Sequence, residues 1–300
     1  MKLQDSIQVH YDGKGEDIKA HLMPSPLVAD SVKAFDTLFA EAFKEANRVY
    51  GSKIEAKTYI EGGFGKGSLK WLQNLVSSQN EEQIDTDGCS IQLRVTEAIS
   101  KAVNILLRID TSIPEIVIKE GSDGFEVELG DGTAIADELV CSLITNPKVR
   151  KAISELAKPL AIEGIDTLTI QSCTSSFSDI EVSKETAVNL TKKREHFYVV
   201  EEGSFTGFYR VEDLSYNPKK AWKFISIEKP SDTFNGTIDV EQFWSSVAAN
   251  EERFAHDDVM KLSVSWTKSR KSLTARASTT YVVTSIEHYD GEQMEQCKMF

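Results

Sequence analysis

The segment Glu61-Gly62-Gly63-Phe64-Gly65-Lys66-Gly67-Ser68 is the most conspicuous place where this chain could do chemistry. Glycines between a predicted strand and a predicted helix could turn backbone N–H groups and a helix N-terminus toward a phosphate, and Lys66 would add charge. Gly63, Gly65, Lys66, Gly67 and Ser68 are the candidate ligand residues of that reading, which makes the chain a nucleotide or small-ligand receptor. The spacing is not that of a P-loop, because Gly67 stands between Lys66 and Ser68, nor is it the dinucleotide fingerprint. The same glycines also suit a plain, flexible tight turn.

A second candidate is the basic cluster Lys268, Arg270, Lys271 and Arg276 with its neighbour Trp266. On a small barrel this hairpin would be one of two loops that grip single-stranded nucleic acid, with Trp266, Trp222 or Phe224 offering stacking faces. A solvated hairpin tip over a Trp-rich core accounts for the same residues. Lys192-Lys193-Arg194 reads as a charge run in a linker.

The remaining reactive side chains form no recognisable set. Glu201-Glu202, Glu251-Glu252 and Asp257-Asp258 are adjacent carboxylates, which point to opposite faces of a strand and do not share a metal. The histidines, at 10, 21, 196, 256 and 288, never recur at helical metal-ligand spacing, although His21 could work with Asp12 as an acid–base pair. Cys89, Cys141, Cys173 and Cys297 include no CxxC, so no metal or cofactor is expected, and they read as reduced thiols.

Charge narrows the classes further. The chain carries a formal net charge of −13. Residues 1–190 hold 19 Lys/Arg against 30 Asp/Glu, a balance of 19 − 30 = −11, which repels phosphate backbones and anionic membranes. The apolar runs, such as Ile105-Leu106-Leu107, are far shorter than the ~18 residues of a membrane span. With no apolar leader after Met1, the expected location is the cytoplasm.

The elements that must position these residues follow from periodicity. Ile7 to Gly13 alternates as a strand closed by a turn. Ser25 is placed to cap a helix with Pro26 at its first position. Val28, Val32, Phe35, Leu38, Phe39, Ala42, Phe43, Ala46 and Val49 then predict a helix over 27–50 with one broad face on a sheet. A strand over Ile54–Ile60, a short helix over 69–76 and an amphipathic helix over 91–109 follow. A hairpin about Gly121-Ser122-Asp123-Gly124, a helix capped by Asn146-Pro147 and a strand over 167–171 complete the first part. Beyond a polar boundary at 183–195 come strands over 197–200, 208–214, 222–227 and 234–238. A helix over 240–249 and a closing hairpin, 259–266 and 274–286, end the pattern. The fold class is therefore α+β. A mixed helix–sheet domain occupies 1–185, and a small antiparallel β-barrel of OB-like strand order occupies 196–290.

Dispersed motifs carry a resemblance. They are Tyr11-Asp12-Gly13, His21 and Met23, then Glu45-Ala46-Asn47-Arg48 and Val149-Arg150-Lys151-Ala152. Pro159-Leu160, Glu163-Gly164-Ile165-Asp166, Trp222-Lys223-Phe224, Phe243 and Phe254-Ala255-His256-Asp257-Asp258-Val259 complete the set. By these the chain resembles an uncharacterised family of bacterial proteins, with Asp257 standing where the family's last motif has glycine. The resemblance implies no known activity. It implies a non-enzymatic interaction protein, a sensor or adaptor in phage defence or stress response, whose partner is another protein or a second copy.

Overall fold

The computed structural model describes residues 2–16, 23–65, 69–77, 91–113, 115–122, 124–173, 179–252, 254 and 258–289. The chain divides into two compact units, Met1–Phe197 and Tyr198–Phe300. Among the described residues no helix is long and apolar enough to cross a membrane.

The first unit is a one-sided sheet backed by helices. Its strands are β1 (Lys2–Asp12), β2 (Ala56–Gly65), β3 (Leu69–Ser77), β7 (Thr167–Ser172) and β8 (Ile180–Ser183), in the order β2-β3-β1-β7-β8. Strand alternation sends Ile7, Val9 and Tyr11 of β1 into the core with Trp71, Leu168, Ile170, Ile180 and Val182. The intervening residues form a polar face, where Ser6 donates to Asn74 (2.6 Å), and Asn74 to Glu61 (2.7 Å).

Helix α1 (Ser25–Tyr50) lays Phe35, Leu38, Phe39, Ala42, Phe43 and Ala46 on the apolar face. It ends at Gly51, whose φ of 65° is the left-handed conformation that closes helices. Its start differs from expectation. Ser25 is the first helical residue and makes no side-chain cap; instead the Pro24 carbonyl accepts from the Leu27 and Val28 N–H groups. Helix α2 (Ile91–Arg108) follows. A meander of β4 (Glu115–Gly121), β5 (Gly124–Glu128) and β6 (Thr133–Ala136) comes next, then α3 (Glu138–Thr145), α4 (Pro147–Ala157) and α5 (Ala187–Thr191). Asn146 caps α4 as its type predicts, accepting from the Lys148 and Val149 N–H groups at 2.9 and 3.3 Å.

Two further expectations fail in this unit. Residues 69–76 are strand β3, not a helix. The segment pairs with β1 on one side and β2 on the other, with Trp71 1% exposed, and that pairing outweighs the helical spacing of the leucines. Arg194 is likewise no linker charge, since it is 6% exposed.

The second unit is a closed five-strand barrel. Strands β9 (Glu195–Asp213), β12 (Val259–Arg270), β13 (Ser278–Tyr289), β11 (Thr233–Ile238) and β10 (Trp222–Ser226) pair in that order, and β10 returns to β9. The barrel is mixed rather than wholly antiparallel. Gly236–Ile238 of β11 lies parallel to Tyr281–Val283 of β13, because helix α6 (Glu241–Ala248) and strand β12 carry the chain round between them. The two strands expected over 197–200 and 208–214 are one strand, β9, long enough to pair with both β12 and β10. The barrel core is Trp222, Phe224, Phe234, Ile238, Phe243, Met260, Leu262, Val264 and Val283.

Candidate functional site

Of the Gly-rich segment, Glu61 to Gly65 belong to β2, and the connection at Lys66, Gly67 and Ser68 lies outside the described residues. The register steps from Glu61↔Leu72 to Phe64↔Trp71, so Gly62 and Gly63 are a bulge in β2. The strand that follows is β3, which removes the helix N-terminus from the phosphate reading. Gly63 and Gly65 therefore serve a bulged hairpin.

The basic hairpin is present but partly neutralised. Lys268 stands opposite Glu201 across the β12–β9 ladder, with Nζ 3.5 Å from its carboxylate. Arg270 donates through Nη1 to the Leu273 carbonyl at 2.8 Å, folding back on its own turn. Lys271 and Arg276 are exposed in the turn. Trp266 lies on the backbone of Gly203, where an added Cβ would come within 2.8 Å of the ring. Trp222 and Phe224, expected as stacking faces, are fully buried, because strand parity turns both inward. The opposite barrel loop, which no sequence motif marks, exposes Tyr216 at 70% beside exposed Lys219 and Lys220.

Among the described residues no group of three or more His, Cys, Asp or Glu is gathered for a metal. His21, His256 and Asp257 lie outside those residues. Burial and the nearby carboxylates of Asp137 and Glu138 push the Cys141 thiol up to about 12, so it is inert, whereas Cys173 is exposed.

The motifs behind the family resemblance are mostly fasteners. The Tyr11 hydroxyl donates to the Leu156 carbonyl at 2.7 Å and lies 3.2 Å from the Ser31 hydroxyl. Gly13 packs on Gly164, so closely that a Cβ on Gly13 would fall 1.9 Å from the Gly164 carbonyl oxygen. Asn47 ties the Ile54 backbone from both sides, and Arg48 reaches Glu45, Glu138 and the Ser142 hydroxyl. Met23, by contrast, lines an open groove.

That groove, of about 940 Å³, lies between the first turns of α1 and strand β2. Met23, Val28, Ala29 and Val32 form one wall, and Ile60, 44% exposed, forms the other. Val28 and Val32 belong to the apolar stripe of α1 but are only half-buried, in the groove beside the edge strand β2. The floor is polar and ordered. Trp71 donates to Gln73 (3.1 Å), Gln73 to Thr58 (2.7 Å) and Thr58 to Asp36 (2.7 Å). Such a surface accepts apolar side chains along its wall and a few hydrogen bonds at its base.

A smaller groove of about 440 Å³ between α1 and α4 gathers Lys33, Lys148, Lys151 and Lys158 with Asp30 and Glu155. Lys148 is bonded to Glu41 at 2.8 Å and Lys158 to Glu155, which halves the charge open to an anion.

Comparisons with protein-family models, curated proteins and solved structures match nothing to this chain. What stands is the class: an α+β protein of two units, the second a closed mixed β-barrel.

Proposed function

We propose that this chain is a non-enzymatic interaction protein that docks another protein on the first unit, at the groove between α1 and β2. One observation carries the reading: about 940 Å³ of open groove whose walls are Met23, Val28, Ala29, Val32 and Ile60. Apolar wall positions on a protein with a formal charge of −13 favour a partner that buries them: full burial of an exposed Val, Ile or Met side chain gains roughly 1.5–3 kcal/mol, and the partly exposed walls here gain a share of that. A photo-crosslinking residue at Val32 tests it in cells. A discrete protein adduct should form there, vanish with Val28→Glu, and be absent from the same probe at Lys151. Equal labelling at both sites, or none at Val32, overturns the reading.

A second reading has its own support in the barrel. Counted in chain order, its strands close as 1-2-3-5-4-1, with the third and fifth parallel and a helix between the third and fourth. That closure supports an OB-like reading of the barrel, and many OB-like barrels bind single-stranded nucleic acid. Exposed Tyr216, Lys219 and Lys220 on one loop and Lys271 and Arg276 on the other supply stacking and charge. Charge reversal at Lys268, Arg270 and Lys271 should abolish a salt-sensitive gel shift with oligo-dT or oligo-U. A shift that survives unchanged removes this reading.

A further inference from the structure

The same edge of the sheet suits a particular partner. Strand β2 ends the five-strand order, and among the described residues no strand pairs with its outer side. Lys57, Tyr59, Ile60 and Glu61 are all exposed along it, Tyr59 at 47% and Ile60 at 44%. An exposed edge with apolar side chains is a template for another strand, and proteins commonly blunt it with a lysine or a bulge. Here the bulge at Gly62–Gly63 ends the regular stretch at Glu61, and the lysine has an answering charge inside that stretch.

We propose that β2 pairs antiparallel with β2 of a second copy of this chain about a two-fold axis at Tyr59. The proposal rests on the docking role of this edge and names its occupant. In that register residue 59 faces 59, 58 faces 60 and 57 faces 61. Lys57 then stands opposite Glu61 of the other copy, twice by symmetry. A self-pairing strand needs this arrangement of charge, because like charges directly opposite oppose pairing. The Asn74 amide holds the Glu61 carboxylate on the polar face of the sheet, at 2.7 Å, where Lys57 and Tyr59 also project. On the other face Ile60 meets Thr58 of the second copy, so the two grooves join across the axis and the exposed apolar wall is covered. A lone edge lysine would block every strand, its own copy included. Matched to Glu61 about Tyr59, it blocks strange strands and admits its own.

Sedimentation equilibrium of the full chain, from micromolar to millimolar, tests this directly. The wild type should show a monomer–dimer equilibrium. Lys57→Glu sets Glu against Glu at both pairs and Glu61→Lys sets Lys against Lys, so each variant alone should dimerise at least ~10-fold more weakly. Mixed in equal amounts, the two should recover association, because every cross-strand pair becomes Glu opposite Lys. The double variant should dimerise as the wild type does. A wild type that stays monomeric throughout, or a mixture no more associated than its components, overturns the proposal. The docking reading is judged apart from it: a Val32 crosslink to a different protein, with no dimer, removes the second copy as occupant and keeps the groove.

Discussion

Replacing Arg194 should cost the first unit more stability than any other exchange of a charged residue discussed above. Its guanidinium donates to four backbone carbonyls: Ile113 (3.1 Å), Asn189 (2.8 Å), Ile109 (3.2 Å) and Asp110 (3.0 Å). Ile109 and Asp110 directly follow the last turn of α2, where the helix dipole favours a cation and carbonyls lack helical partners. Asn189 lies in α5, so one side chain closes two helices and the turn after Ile109. Arg194→Met keeps the aliphatic stem and removes every donor, leaving those acceptors to find water in a site 6% exposed. Four separate bonds to a charged donor would sum to far more, but such bonds are not additive. Leaving one buried acceptor unsatisfied costs about 1–3 kcal/mol, and four that share one donor group fall short of their sum, for about 3–5 kcal/mol in all. The opposing term is smaller. Arg194 repels Arg150, but Arg150 bonds to the Arg194 backbone carbonyl, which the substitution leaves in place. Urea unfolding followed by circular dichroism at 222 nm reads the first unit, because α1, α2 and α4 all lie in it. With m near 2–3 kcal/mol/M the midpoint should fall by roughly 1–2.5 M. Arg194→Lys should recover only part, since an ammonium cannot span all four acceptors. A fall below ~0.3 M for Arg194→Met would refute the view that these carbonyls depend on it.

Other perturbations follow from the same geometry. Gly13→Ala must push its Cβ off the Gly164 carbonyl and should destabilise by about 1–3 kcal/mol, seen as a lower Tm. Asn146→Ala loses the α4 cap and the 2.9 Å bond to Glu45, for a loss of about 1 kcal/mol in the same melt. With native protein at pH 8, iodoacetamide should modify Cys173 and leave Cys141, whose thiol is pushed up to about 12, unmodified until urea exposes it, as peptide mapping would show. The Glu41 carboxyl is held below its ordinary 4.5, chiefly by the hydrogen bond from Lys148. A depressed carboxyl stabilises above its unfolded pKa and loses that contribution as pH falls through its folded one. Glu41→Gln should therefore flatten the acid limb of stability below about pH 4.5 and leave the neutral region with a smaller maximum.

Local chemistry alone determined much of this protein. The 3.6-residue stripe of α1, the Asn146-Pro147 start of α4, the Gly121–Gly124 hairpin and the α+β class all follow from side-chain period and backbone preference, which act over a few residues. Tertiary structure decided what depends on distant neighbours. Leu69–Ser77 became a strand because β1 and β2 flank it. Trp222 and Phe224 went inside because the barrel closes around them, and one parallel pair arose because α6 and β12 route the chain past β11 before β13 returns. Arg194 looked like a solvated charge, since nothing adjacent in sequence reveals the carbonyls of Ile109, Asp110 and Ile113 that surround it. The candidate site shows the same division. Val28 and Val32 were legible as members of an apolar face, but periodicity carries no information about where a sheet ends. Only the tertiary structure places those two in a groove beside the edge strand β2 rather than in the core.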